Sequence, residues 1–142
     1  MVNADTMQIS DQGKTYLLEA ARWATFLGIA GFIMIGLLVI LSFSIGSILS
    51  SLPEGYLGGI PPRFFSFFYL IVAGIYFIPV YYLFQFGVKT KKAFEDNDIG
   101  MLTFGLKKLR SHYKFIGILF IIAVILYFFL ILLGAFGLLL AS

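Results

Sequence analysis

Charged residues cut the chain into three long apolar stretches. No Asp, Glu, Lys or Arg lies between Arg22 and Glu54, and the apolar part of that interval runs from Trp23 to about Leu49, 27 residues. A second uncharged run covers Phe64 to Val88, 25 residues, and a third covers Phe115 to Ala141, another 27. At about 1.5 Å of rise per residue, each makes a helix of roughly 38–40 Å, longer than the ~30 Å hydrocarbon layer of a bilayer. The pattern predicts an all-α integral membrane protein with three transmembrane helices, the surplus length being absorbed by tilt or by a turn emerging at one end. A cleaved secretory signal fits the first run poorly. Twenty-two mostly polar residues precede it, it exceeds the ~7–15 apolar residues of a signal, and no A-x-A-like site follows.

The polar stretches divide the single membrane domain as follows: a cytoplasmic N-terminal helix over 1–22, spans over 23–49, 64–88 and 115–141, an outer loop over 50–63, and a basic cytoplasmic segment over 89–114. The outer loop carries Pro53, Pro61 and Pro62 with Gly55, Gly58 and Gly59, which forbids a continuing helix. In the basic segment, Glu95-Asp96-Asn97-Asp98 reads as a turn and helix cap, because short polar side chains accept the free N–H groups of a new helix and their charge suits its dipole. Beyond it Ile99, Leu102, Leu106, Leu109, Tyr113 and Ile116 recur at spacings of three and four, the apolar stripe of an amphipathic helix that runs into the third span. Met101 and Phe104 fall off that stripe. In the N-terminal segment Ser10 or Asp11 is the candidate cap, and Tyr16, Leu17, Ala20, Ala24 and Leu27 line one face continuous with the first span. The basic helix either lies on the inner leaflet or stands against the N-terminal helix, and both arrangements remain open at this stage.

Composition agrees with a lipid solvent: 61% of residues are hydrophobic and only 12% charged, with a mean hydropathy of +1.00, against roughly a quarter charged in an average soluble domain. The absence of cysteine excludes a disulfide scaffold. The placement of charge sets the threading. Lys14, Arg22, Lys89, Lys91, Lys92, Lys107, Lys108, Arg110 and Lys114 fall on one side of the three spans and Arg63 alone on the other, nine against one. Positive loops stay in the cytoplasm, so the N-terminus is expected inside and the C-terminus outside, in the cell inner membrane. The net charge of +3 then reflects topology and attraction to anionic lipid of the inner leaflet, through Lys107, Lys108, Arg110 and Lys114, rather than nucleic-acid binding.

The inventory for catalysis is thin. There is one histidine, no cysteine, and none of the seven acidic residues lies within a span, which leaves no proton relay, carboxylate pair or His/Cys metal site. No enzymatic activity and no cofactor is expected. His112 reads as an ordinary interfacial residue. The second span has the least bland interior: Tyr76, Pro79, Tyr82 and Gln85 form a candidate kink and polar cluster, since Pro79 cannot donate a backbone bond to Ile75. Tyr81, Tyr82 and Gln85 equally suit an inner aromatic belt, with Tyr76 donating to a neighbouring carbonyl. Small residues mark where helices approach in lipid, and Ala24, Gly28, Gly31 and Gly117 are the candidate packing positions. A short echo, Phe26-Leu27-Gly28-Ile29 and Phe115-Ile116-Gly117-Ile118, places Gly28 and Gly117 at similar depth and predicts that the first and third spans touch there.

Three stretches, Trp23 to Ile29, Tyr76 to Phe86 and Tyr113 to Ile118, resemble a family of small uncharacterised multi-pass membrane proteins of Bacteroidota. The resemblance implies an inner-membrane location and carries no activity or functional residue with it. The function expected from the sequence is that of an accessory or interaction protein, packing with itself or with partner membrane proteins. A small oligomeric transporter or channel lined by the polar region of the second span is the alternative.

Overall fold

A computed structural model of the protein describes residues 8–53 and 55–141, so the first seven positions of the N-terminal segment lie outside the described residues. The chain forms three helices, α1 (Asp11–Ser50), α2 (Pro62–Glu95) and α3 (Ile99–Ala141), each long and apolar enough to cross a membrane. The charge boundaries do not end the helices. α1 carries the polar N-terminal turns and the first apolar run without a break, and α3 joins the basic segment to the third run in one helix of 43 residues.

The ends follow from local chemistry. The Gly13 N–H donates to Ser10 Oγ at 3.1 Å, making Ser10 the cap of α1. α2 starts on Pro62, whose missing N–H costs nothing in the first turn. Asp98 Oδ1 accepts the Met101 N–H at 3.1 Å and caps α3, while Asn97 takes a left-handed φ of 52° that reverses the chain between α2 and α3. In the connector between α1 and α2, Gly55, Gly58 and Gly59 have φ of 89°, 59° and 85°, a backbone that side chains resist.

α2 is the central helix. Both neighbours pack on it, and among the described residues no Cα of α1 comes within 8 Å of a Cα of α3. The core is inverted relative to a water-soluble protein. Its buried apolar members are Ala21, Ala24, Ala73, Phe86 and Ala93, whereas Trp23, Phe43, Phe120 and Phe128 face outward. In lipid there is no hydrophobic drive to hide large side chains, and small residues gather where backbones meet.

On α1 a line of half-buried and buried positions, Ala21, Ala24, Gly28, Gly31, Ile35, Leu38, Ser42, Ile45 and Leu49, is spaced alternately by three and four, with further half-buried residues such as Thr25, Phe32 and Val39 beside it. That is a seven-residue repeat, the period of helices that cross at a shallow left-handed angle. The face expected from the sequence is displaced: Tyr16, Ala20 and Leu27 are exposed, and Ala21 replaces Ala20 in the contact.

α3 shows the same displacement. The expected stripe points mostly away from the protein, with Ile99, Leu106, Tyr113 and Ile116 exposed. The packed face is instead Met101, Gly105, Lys108, His112 and Phe115, about one position round the helix. An apolar stripe beside lipid is satisfied by lipid; α2 is met by the residues that allow close approach or offer a hydrogen bond. The basic helix therefore packs on α2 and not on the N-terminal helix, one of the two arrangements the sequence left open.

Candidate functional site

Two kinds of contact hold the helices on α2, and they use different residues. Between α1 and α2 the contact is steric. A Cβ added to Gly87 would lie 2.6 Å from the Ala21 carbonyl oxygen and 2.7 Å from the Thr25 nitrogen, so only glycine fits there. A Cβ on Gly28 would sit 2.7 Å from Phe84 Cβ, and one on Gly31 2.7 Å from a methyl of Val80. Nearer the connector, Gly46 packs on Ser66 Oγ. Phe32 closes the seam with ring centroids 5.6 Å from both Phe77 and Phe84.

Between α2 and α3 the contact combines one close glycine approach with polar anchors and is confined, among the described residues, to the first half of α3. Gly105 brings α3 onto α2 at Thr90, where an added Cβ would lie 2.7 Å from Thr90 Oγ1 and 3.3 Å from its nitrogen. Thr90 is fully buried, and its hydroxyl has no hydrogen-bond partner among the described residues. Further along, His112 Nδ1 lies 2.7 Å from the Pro79 carbonyl oxygen. A carbonyl only accepts, so Nδ1 carries the proton and the imidazole donates across the helices. Between these anchors the Lys108 ammonium sits 5.2 Å from the Tyr82 ring centroid, 5.1 Å from that of Phe104 and 6.0 Å from that of Tyr81, within the range of cation–π attraction. Gln85 Nε2 donates to Tyr81 Oη at 3.1 Å, one turn apart on α2.

The polar cluster expected on the second span is thus divided. Pro79 is buried under His112, Tyr82 is engaged by Lys108, and Gln85 joins through Tyr81, so these residues belong to the α2–α3 contact. Tyr76 stands apart on the other side, exposed and bordering a shallow apolar groove of about 370 Å³ with Gly31, Met34 and Val80. Among the packing candidates, Ala24 and Gly28 are buried against α2 and Gly31 meets Val80. Gly117 faces open space, with nothing within 4 Å of an added Cβ. The expected meeting of Gly28 with Gly117 does not occur, because Phe84 of α2 occupies the place in front of Gly28.

The cations Lys107, Lys108, Arg110 and Lys114 share one stretch of α3 but not one environment. Lys108 is half-buried among rings, while Lys107, Arg110 and Lys114 are exposed. Among the described residues the ion pair is Lys14 with Asp11, 3.6 Å apart on α1, so no carboxylate compensates the α3 cations. Their position adds to this. His112 meets α2 at Pro79, nine residues before Val88 and so roughly 13 Å inside the end of its apolar run; on the antiparallel α3, Lys114 lies slightly deeper than this, and Lys107, Lys108 and Arg110 lie shallower but still beside the run. Lys114 also borders a cleft of about 230 Å³ between α2 and α3, together with Tyr82, Ser111, Phe115 and Ile118.

Sequence reasoning missed Gly87, Thr90, Gly105 and the role of His112. A signal for the first existed: Ser66, Ala73, Val80 and Gly87 are each seven residues apart, a small-residue repeat matching that on α1. Nothing comparable marks Gly105, a lone glycine in an amphipathic stretch. No family model, curated protein or solved structure matches the chain.

Proposed function

We propose that the protein is a non-enzymatic accessory subunit of the cell inner membrane that packs with further copies of itself or with partner membrane proteins. The N-terminus lies in the cytoplasm and the C-terminus outside, as the nine-to-one distribution of basic residues favours. The observation that carries this reading is the far half of α3. From Ile121 to Gly137 every residue is exposed, although the stretch is long enough to traverse most of a bilayer and contains Ala123, Gly134, Ala135 and Gly137 as close-approach positions. A span that needs no intramolecular partner is free to take an intermolecular one. The basic part of α3 meets the anionic inner leaflet through the exposed Lys107, Arg110 and Lys114, whereas Lys108 is turned into the rings of the α2–α3 contact.

A photoreactive residue at Phe128 in intact membranes tests the reading: a discrete adduct with a second copy or with one partner is expected, and adducts with lipid alone would overturn it. Saturable flux in liposomes that disappears on Tyr76→Phe or Pro79→Ala would replace it by transport. Single cysteines at Gly58 and at Asp96, exposed in the α2–α3 turn, should label from opposite faces of intact cells, and labelling from the same face would refute the threading.

A further inference from the structure

Three features of the α2–α3 contact converge on one place. First, α3 carries exposed cations beside the apolar run of α2 with no carboxylate within ion-pair distance among the described residues. Charge at that depth is costly and is eased by an anion, by water or by a side chain that snorkels toward the interface. Second, the cleft of about 230 Å³ that Lys114 borders has an amphipathic lining: Lys114, Ser111 and Tyr82 are its polar residues, and Phe115 and Ile118 continue it into the apolar half of α3. Third, Lys108 is held by aromatic rings, which fixes the Tyr82 ring at the border of the cleft. In a helix each Cα–Cβ bond tilts toward the N-terminus, so the Lys114 side chain leans back toward the α2–α3 turn and carries its ammonium part of the way to the inner face while its stem stays in the apolar layer.

We infer that this cleft is a binding site for one anionic phospholipid. The headgroup phosphate accepts hydrogen bonds from the Lys114 ammonium and the Tyr82 hydroxyl, and an acyl chain lies along Phe115 and Ile118. A free phosphate would satisfy the cation but leave the apolar half of the cleft unused, whereas a phospholipid matches both halves. The site rests on the reading that the basic part of α3 meets the inner leaflet, and sharpens it from diffuse attraction to one bound molecule.

The test uses the full chain in a mild detergent, offered phosphatidylglycerol or phosphatidylcholine with identical acyl chains and observed by native mass spectrometry. One phosphatidylglycerol should be retained in preference to phosphatidylcholine. Lys114→Gln should lower its occupancy by at least about tenfold, as loss of a charged hydrogen bond predicts, and Tyr82→Phe, which preserves the ring and hence the fold, should lower it by a smaller factor. Lys107→Gln, outside the cleft, removes only diffuse attraction and should lower occupancy far less than Lys114→Gln, and excess glycerol phosphate should not displace the lipid. Equal losses from Lys107→Gln and Lys114→Gln would overturn the site while keeping the leaflet reading. No preference for phosphatidylglycerol in the wild type would overturn both.

Discussion

α1 and α3 lean on the same central helix by opposite means. α1 packs along nearly the whole of α2, from Ala21 beside Gly87 to Gly46 beside Ser66, through small residues interspersed with Ile and Leu at a spacing of three and four positions. Among the described residues, α3 touches α2 only with its first half, through Gly105, Lys108 and His112, and Ile121 to Gly137 have no partner. The first contact is a continuous seam of shape, the second a few polar anchors in a short stretch. When lipid rather than water is the solvent, apolar area does not choose which faces meet. Close backbone approach and cross-helix hydrogen bonds do, and their distribution determines which helix is committed to the fold and which remains available.

The seam should therefore be the most sensitive part of the molecule. Gly87→Leu, which drives a side chain into the Ala21 carbonyl and the Thr25 backbone, should cost about 3 kcal/mol in reversible unfolding in mixed detergent micelles. Gly28→Leu should cost somewhat less, about 2 kcal/mol by the same measurement, since Phe84 can yield in part. If both variants unfold like wild type, the α1–α2 seam is not the stabilising contact.

Weaker effects belong to α3. Gly105→Ala pushes α3 off Thr90 and should cost about 1 kcal/mol, with loss of cysteine crosslinking between α2 and α3 but not between α1 and α2. His112→Ala removes one interhelical hydrogen bond, worth about 0.6 kcal/mol in a membrane, and leaves the Pro79 carbonyl its intrahelical role. Gly117→Leu adds a side chain to open space and should change stability by less than about 0.5 kcal/mol. A large loss there would show that a second copy or another helix packs on Gly117, and would blur the difference between the two contacts.

How much of this was legible beforehand follows the same division. Trp23 to Leu49, Phe64 to Val88 and Phe115 to Ala141 are readable as spans because charge is expensive in hydrocarbon. Ser10 and Asp98 are readable as caps because they supply acceptors that orphan N–H groups require. Facing is not readable from hydrophobicity. Leu106, Tyr113 and Ile116 form a regular apolar stripe and point outward, while Gly105 and His112 point in. Glycine alone is ambiguous too: Gly28 lies under Phe84 and Gly117 under nothing, although both sit in an identical Gly-Ile context after an aromatic and an aliphatic residue. What separates them is the seven-residue spacing, which Gly28 shares with Ala21, Ile35 and Ser42 and which recurs on α2 as Ser66, Ala73, Val80 and Gly87. His112 was unreadable because its partner is a main-chain carbonyl 33 residues away.

Since the chain has no native cysteine, paired cysteines can report the contrast between the two neighbours of α2 in native membranes. Gly46→Cys with Ser66→Cys, and Thr90→Cys with Gly105→Cys, should form disulfides readily under mild oxidation. Gly28→Cys with Gly117→Cys should form none within one chain. Efficient intramolecular crosslinking of that last pair would place α1 directly against α3 and contradict the arrangement in which both neighbours meet only α2.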